Sequence, residues 1–156
     1  MASKIARLRI AGASGALIGA GALAVALAAP ASAAVTGVSI DTPSGYGSTA
    51  NNYGTGCSYT VSATYANAND GKVTFTAQNG TGTPVTIGTV TPDPTSTTKK
   101  VSTTWKPTAK GSYTISASQA GSAAQSTTAK VGGNGIQLPN LPFLTTAVTN
   151  GTCLVL

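Results

Sequence analysis

Cys57 and Cys153 are the residues of this chain best suited to covalent chemistry, and they stand almost alone. The chain has no His and no Glu, and its three carboxylates, Asp41, Asp70 and Asp93, fall in or beside three separate turns. Asp in such places ordinarily caps backbone amides, so a paired-carboxylate hydrolase is not expected. Two thiols without His or a nearby carboxylate do not complete a tetrahedral metal set. The Cys-x-x-Cys pair of redox catalysts is also missing. No Ser lies on a strand-to-helix elbow that would expose it as a nucleophile. Asn67-Ala68-Asn69-Asp70 holds a sparse set of calcium-type oxygens and reads better as a turn. The expectation is a chain with no catalytic residue, no cofactor and no metal, and therefore not an enzyme.

The state of the cysteines depends on the compartment. Lys4, Arg7 and Arg9 precede an apolar stretch from Ala16 to Ala28, and Ala31-Ser32-Ala33 supplies the small-x-small pattern read by signal peptidase. Those 13 apolar residues would span only about 20 Å as a helix, short of the ~30 Å hydrocarbon core. A signal peptide over residues 1–33 is therefore expected, and with it a secreted, extracellular location. No cysteine follows the apolar stretch until Cys57, so no lipid anchor is expected near the cut. In an oxidising compartment two cysteines have one intramolecular pairing, Cys57 with Cys153.

Removal of residues 1–33 from a chain of 156 leaves 123, enough for one domain around one core. It also removes three of the nine basic residues, leaving six Lys, no Arg and three Asp, a net charge of +3. The lysines are scattered, whereas a nucleic-acid surface calls for clustered Arg with stacking partners. No nucleic acid is expected as a partner, and no membrane span in the mature chain.

Beyond residue 34 the apolar rhythm has period 2. From Cys57 to Tyr65 every odd residue is apolar and every even one is Ser or Thr, which places one face in a core and points Cys57 inward. The same alternation predicts strands over Val35–Ile40, Val73–Gln78, Pro84–Val90, Lys99–Trp105, Ser112–Ser118 and Ala123–Val131. Val85 and Ile87 are expected to supply the Pro84–Val90 strand with its apolar side. Ser44–Gly56, rich in Gly, Ser and Asn, has no apolar rhythm and reads as a loop. About seven strands at this spacing predict an all-β, immunoglobulin-like Greek-key sandwich.

Gly71-Lys72-Val73-Thr74-Phe75, Ile87-Gly88-Thr89-Val90 and Gly111-Ser112-Tyr113-Thr114-Ile115-Ser116-Ala117 follow one another in that order, after a core strand at Tyr59–Tyr65. Over residues 35–131 the chain resembles the bacterial Ig-like domain family of the group 3 type. The resemblance implies a non-enzymatic spacer or adhesive module of surface and secreted proteins. A single copy and a disulfide depart from the family's habit of tandem repeats.

The expected layout is residues 34–131 as the sandwich and residues 132–156 as an extension tied back by the disulfide. That extension contains Leu138, Leu141, Phe143 and Leu144, the most apolar run of the mature chain. With Ile136 it forms either a clamp over one end of the sandwich or a surface for a partner. Tyr46 and Tyr53 flank the Gly-rich loop and either offer a platform for sugars or pack over the sandwich's end. The partner expected is a cell-envelope component or another secreted protein. The alternatives are a soluble carrier, an inhibitor or a glycan-binding module.

Overall fold

Strict alternation writes the first sheet directly. In β3 (Tyr59–Tyr65), Tyr59, Val61, Ala63 and Tyr65 are buried. On one side it pairs antiparallel with β1 (Val35–Asp41), and on the other with β6 (Lys100–Trp105). Ser62 is buried as well, and its hydroxyl donates to Asp41 Oδ2 across the β1 pairing at 3.2 Å. The computed structural model of the protein describes residues 34–42, 51–120, 122–137 and 153–156. The expected signal peptide at 1–33 lies outside the described residues, as do Tyr46, Leu138, Leu141, Phe143 and Leu144.

The second sheet runs in the order β2-β8-β7-β4-β5. Its strands are β2 (Asn52–Thr55), β4 (Val73–Asn79), β5 (Val85–Val90), β7 (Gly111–Gln119) and β8 (Gln125–Gln137). β9 (Cys153–Val155) pairs antiparallel with Gly135–Gln137 at the far end of β8. Val73, Phe75 and Ala77 of β4 and Tyr113, Ile115 and Ala117 of β7 face Val61, Ala63 and Trp105 across a single core. With β2 and β9 set aside, β1-β3-β6 against β5-β4-β7-β8 is an immunoglobulin-like Greek-key order.

Nine strands stand among the described residues where about seven were expected. One of the two extra strands, β2, falls inside Ser44–Gly56, which had read as a loop. It runs parallel to β8, and its only large apolar side chain is Tyr53. A four-residue edge strand of this kind has too little alternation to show in a periodicity.

The other difference lies at residue 131. β8 does not end there but continues for six residues through Gly132-Gly133-Asn134-Gly135, so the expected boundary between sandwich and extension falls inside a strand. Glycine is what lets the backbones converge. A Cβ on Gly54 would stand 2.7 Å from Gly135 Cα, and one on Gly135 would stand 2.9 Å from the Thr55 carbonyl and against both sulfurs of the disulfide. These glycines mark close approach between strands, not a flexible break. Gly135→Ala is therefore expected to lower stability by about 1–3 kcal/mol through overpacking. Gly132→Ala, whose Cβ would meet nothing closer than Asn52 Oδ1 at 3.8 Å, is expected to be near neutral. Urea midpoints of the two variants check the contrast, and equal losses would refute it.

At the opposite end of the sandwich, Asn67 caps a 3-10 turn over Ala68–Asp70 by accepting from the Asn69 amide at 3.1 Å. Gln119, buried in β7, donates its side-chain amide to the carbonyls of Asn67 and Gly71 at 3.1 and 2.7 Å. The turn between Tyr65 and Val73 is thus pinned to the core by the next inward position of β7 after Tyr113, Ile115 and Ala117.

Candidate functional site

The Trp105 end of the sandwich collects most of the molecule's distinctive side chains. Alternation along β3 and β6 turns Tyr59 and Trp105 inward at directly paired positions. β2 brings Tyr53, and β7 brings Tyr113. The Trp105 ring lies 5.8 Å from those of Tyr53 and Tyr59 and 5.2 Å from that of Tyr113, while Tyr53 meets Tyr59 edge-on at 4.9 Å. Such offset and T-shaped contacts add to the burial of the rings. Trp105 and Tyr53 are each only 2 % exposed.

That burial decides between the two roles considered for Tyr53. Its ring lies against those of Tyr59 and Trp105, and it packs over the sandwich's end, too buried to offer a sugar a surface. The Tyr59 hydroxyl accepts from the Gly54 amide at 2.6 Å and lies 3.3 Å from Cys153 Sγ, so the cluster also anchors β2 and β9. Burial raises the phenol pKa of both Tyr53 and Tyr59 above the ordinary value of 10.0. A raised pKa of this kind leaves stability intact below pH 10 and removes it above, where the unfolded chain ionises first. We expect Tyr53 and Tyr59 to resist titration at 295 nm beyond the ordinary tyrosine range, and loss of that resistance to follow only with the fold; ordinary titration of both would contradict the cluster.

The disulfide joins Cys57 to Cys153 as expected, with Cα atoms 5.9 Å apart and both residues buried. It ties the chain entering β3 in the first sheet to β9 on the second. Trp105 stands on β6, beside the bridge's strand, so the Cys, Trp and Cys arrangement of antibody domains is not reproduced.

Beside this end the sandwich opens. β5 and β6 are the outer strands of their sheets on the same side. They touch where Gly88 packs against Thr103, a contact so close that a Cβ on Gly88 would overlap the Thr103 side chain. Past that point the sheets part into a groove of about 510 Å³, with Trp105 and Tyr113 deep in its wall and Val85, Ile87, Pro107 and Ala109 along it. Its apolar lining and size are those of a small-ligand cleft.

Val85, expected on the apolar side of its strand, does stand on that side but is left uncovered. Val85 pairs with Ala77, so it lies on the inward face of its sheet, yet it is 62 % exposed because nothing among the described residues lies opposite it. A register shift between Phe75 and Thr76 accompanies this opening. Ile136, assigned by the sequence either to a clamp or to a partner surface, is 48 % exposed.

The three carboxylates are each engaged locally. Asp41 accepts from Ser62, Asp70 from Asn67 and Asp93 from the amide and hydroxyl of Thr95. Those Thr95 bonds hold the Asp93 pKa below its usual value. Among the described residues no group of three or more His, Cys, Asp or Glu side chains gathers. No helix among them is long and apolar enough to cross a membrane.

Fold and site together define an all-β, immunoglobulin-like sandwich with an inter-sheet disulfide and a lateral groove. No family model matches the chain, and no curated protein matches it. Among solved structures it is similar to the superoxide reductase (neelaredoxin) of Ignicoccus hospitalis, at 12 % identity and a TM-score of 0.42, over 62 % of this chain and 80 % of that one. It is also similar to the PKD domain of an M14-like peptidase from a Thermoplasmatales archaeon, at 14 % identity and a TM-score of 0.35, over 61 % of this chain and 92 % of that one. At such scores neither likeness assigns an activity or a ligand.

Proposed function

We propose that this is a non-enzymatic, secreted Ig-like protein that acts as a binding or structural module at the cell envelope. The observation that carries the reading is the use made of the carboxylates. Asp41, Asp70 and Asp93 each accept from a neighbouring side chain, in a strand pairing or a turn, and so serve the scaffold. Export is supported by the pattern at Ala31-Ser32-Ala33 and by a buried disulfide, a bond that persists in oxidising compartments.

The oxidised chain from Ala34 to Leu156 holds every described strand and is the form to test. It is expected to sediment with purified cell envelopes and to be released by competing soluble envelope polymer. Recovery entirely in the supernatant would overturn the reading. The groove favours a second reading, a soluble carrier for a small apolar ligand. A carrier would remain in the supernatant and show a melting temperature raised by its ligand.

A further inference from the structure

We propose that the groove between β5 and β6 binds an amphipathic anion, a medium-chain carboxylate whose alkyl body lies along Val85, Ile87 and Pro107 and whose head group meets the Lys106 ammonium. The inference rests on the carrier reading of the groove and names the class of ligand it takes. Every residue that lines the groove is among the described ones.

The apolar body follows from the walls. Val85 stands on the inward face of its sheet and is nevertheless 62 % exposed. Exposed apolar surface of this kind marks a ligand groove or an interaction site, and about 510 Å³ suits a small molecule. Trp105 is only 2 % exposed and already touches three tyrosine rings, and the Tyr113 hydroxyl is committed to the Ala109 carbonyl at 3.1 Å. Little aromatic surface is left for stacking, so a flexible alkyl chain fits these walls better than a flat ring.

Charge selects the head group. Lys106 is the one charged residue that lines the groove, and no hydrogen bond or ion pair engages its ammonium among the described residues. Lys99, by contrast, donates to the Ala66 carbonyl at 3.3 Å. A second lysine, Lys110, is held at the same end as Lys106, where its carbonyl accepts from the Asn79 side chain at 3.3 Å. The carboxylates stand elsewhere. Asp70 and Asp93 lie at the Tyr65 end of the sandwich, and Asp41 is on β1, on the far side of β3 from β6. A cationic amphiphile would meet only repulsion in the groove, and a doubly charged phosphate would find no second cation lining it. A single ammonium is a point charge that suits a monoanion.

The probes are decanoate, decanol and decyltrimethylammonium, titrated below their micellar concentrations into the oxidised chain from Ala34 to Leu156 and followed by calorimetry. Decanoate is expected to bind about five- to tenfold more tightly than the ammonium probe. Decanol reports on the apolar walls alone. Lys106→Gln is expected to weaken decanoate by about two- to fivefold and to leave decanol unchanged, whereas Val85→Ser weakens both. Lys72→Gln, beside Val73 and Gln119 at the opposite end, is the control and is expected to change neither. Decanol binding with no preference for decanoate over the ammonium probe would overturn the anion assignment and leave the carrier reading standing. Equal losses from Lys106→Gln and Lys72→Gln would do the same. Binding of no probe would overturn both.

Discussion

Replacing Cys57 and Cys153 together by alanine is expected to cost about 4 kcal/mol. The two residues are 96 positions apart, and closing a loop of about 100 residues removes denatured-state entropy worth at most ~4.7 kcal/mol. For a domain of this size that is a large share of total stability. The loss has a location as well as a size. β9 is three residues long and depends on the bridge, so amide exchange at Gly135–Gln137 and Cys153–Leu156 is expected to quicken first, while β4 and β7 keep their protection. A denaturant midpoint shifted by less than about 1 kcal/mol, or a uniform loss of protection, would show that the sandwich does not rely on the staple.

Trp105→Ala is expected to cost about 3–5 kcal/mol, the range for removing a large aromatic from a core. Its ring touches Tyr53, Tyr59 and Tyr113, and so links β2, β3, β6 and β7 at the end where the sheets diverge. The variant should lose near-UV dichroism from the whole cluster, because the tyrosines are held in place by the indole. Trp105→Phe keeps part of the ring contact and is expected to recover about half the loss. A stability change below about 1 kcal/mol, with the tyrosine dichroism intact, would mean that the end is held by the disulfide alone.

The elements that were legible in the sequence share one physical property, a two-sided environment. β3, β4, β6 and β7 have one face in the core and one in water, and their sequences record this as alternation. Cys57 inherits its inward direction from the same rhythm, and pairing with Cys153 follows from having only two thiols. β2 and the second half of β8 were not legible, since Gly54, Gly133 and Gly135 carry no side chain to alternate. Glycine in a strand looks the same in one dimension whether it breaks the strand or admits a neighbour. Only the 2.7 Å that a Cβ on Gly54 would leave to Gly135 Cα separates the two cases.

The groove is a similar case. Val85 stands in a regular strand, and its exposure comes from the way two sheets, touching at Gly88 and Thr103, diverge beyond that point. Tyr53, a residue of a Gly-rich stretch, is buried because a parallel edge pairing carries it onto Trp105.

The sequence by itself determined an all-β sandwich, the inward faces of its main strands and the partner of each cysteine, because alternation and a two-thiol pairing are local or countable. Only the tertiary structure decided where the sheets part, which glycines bring backbones together and which tyrosines are spent on the core. Those outcomes depend on distances between strands far apart in the chain, and no periodicity along one strand encodes its separation from another.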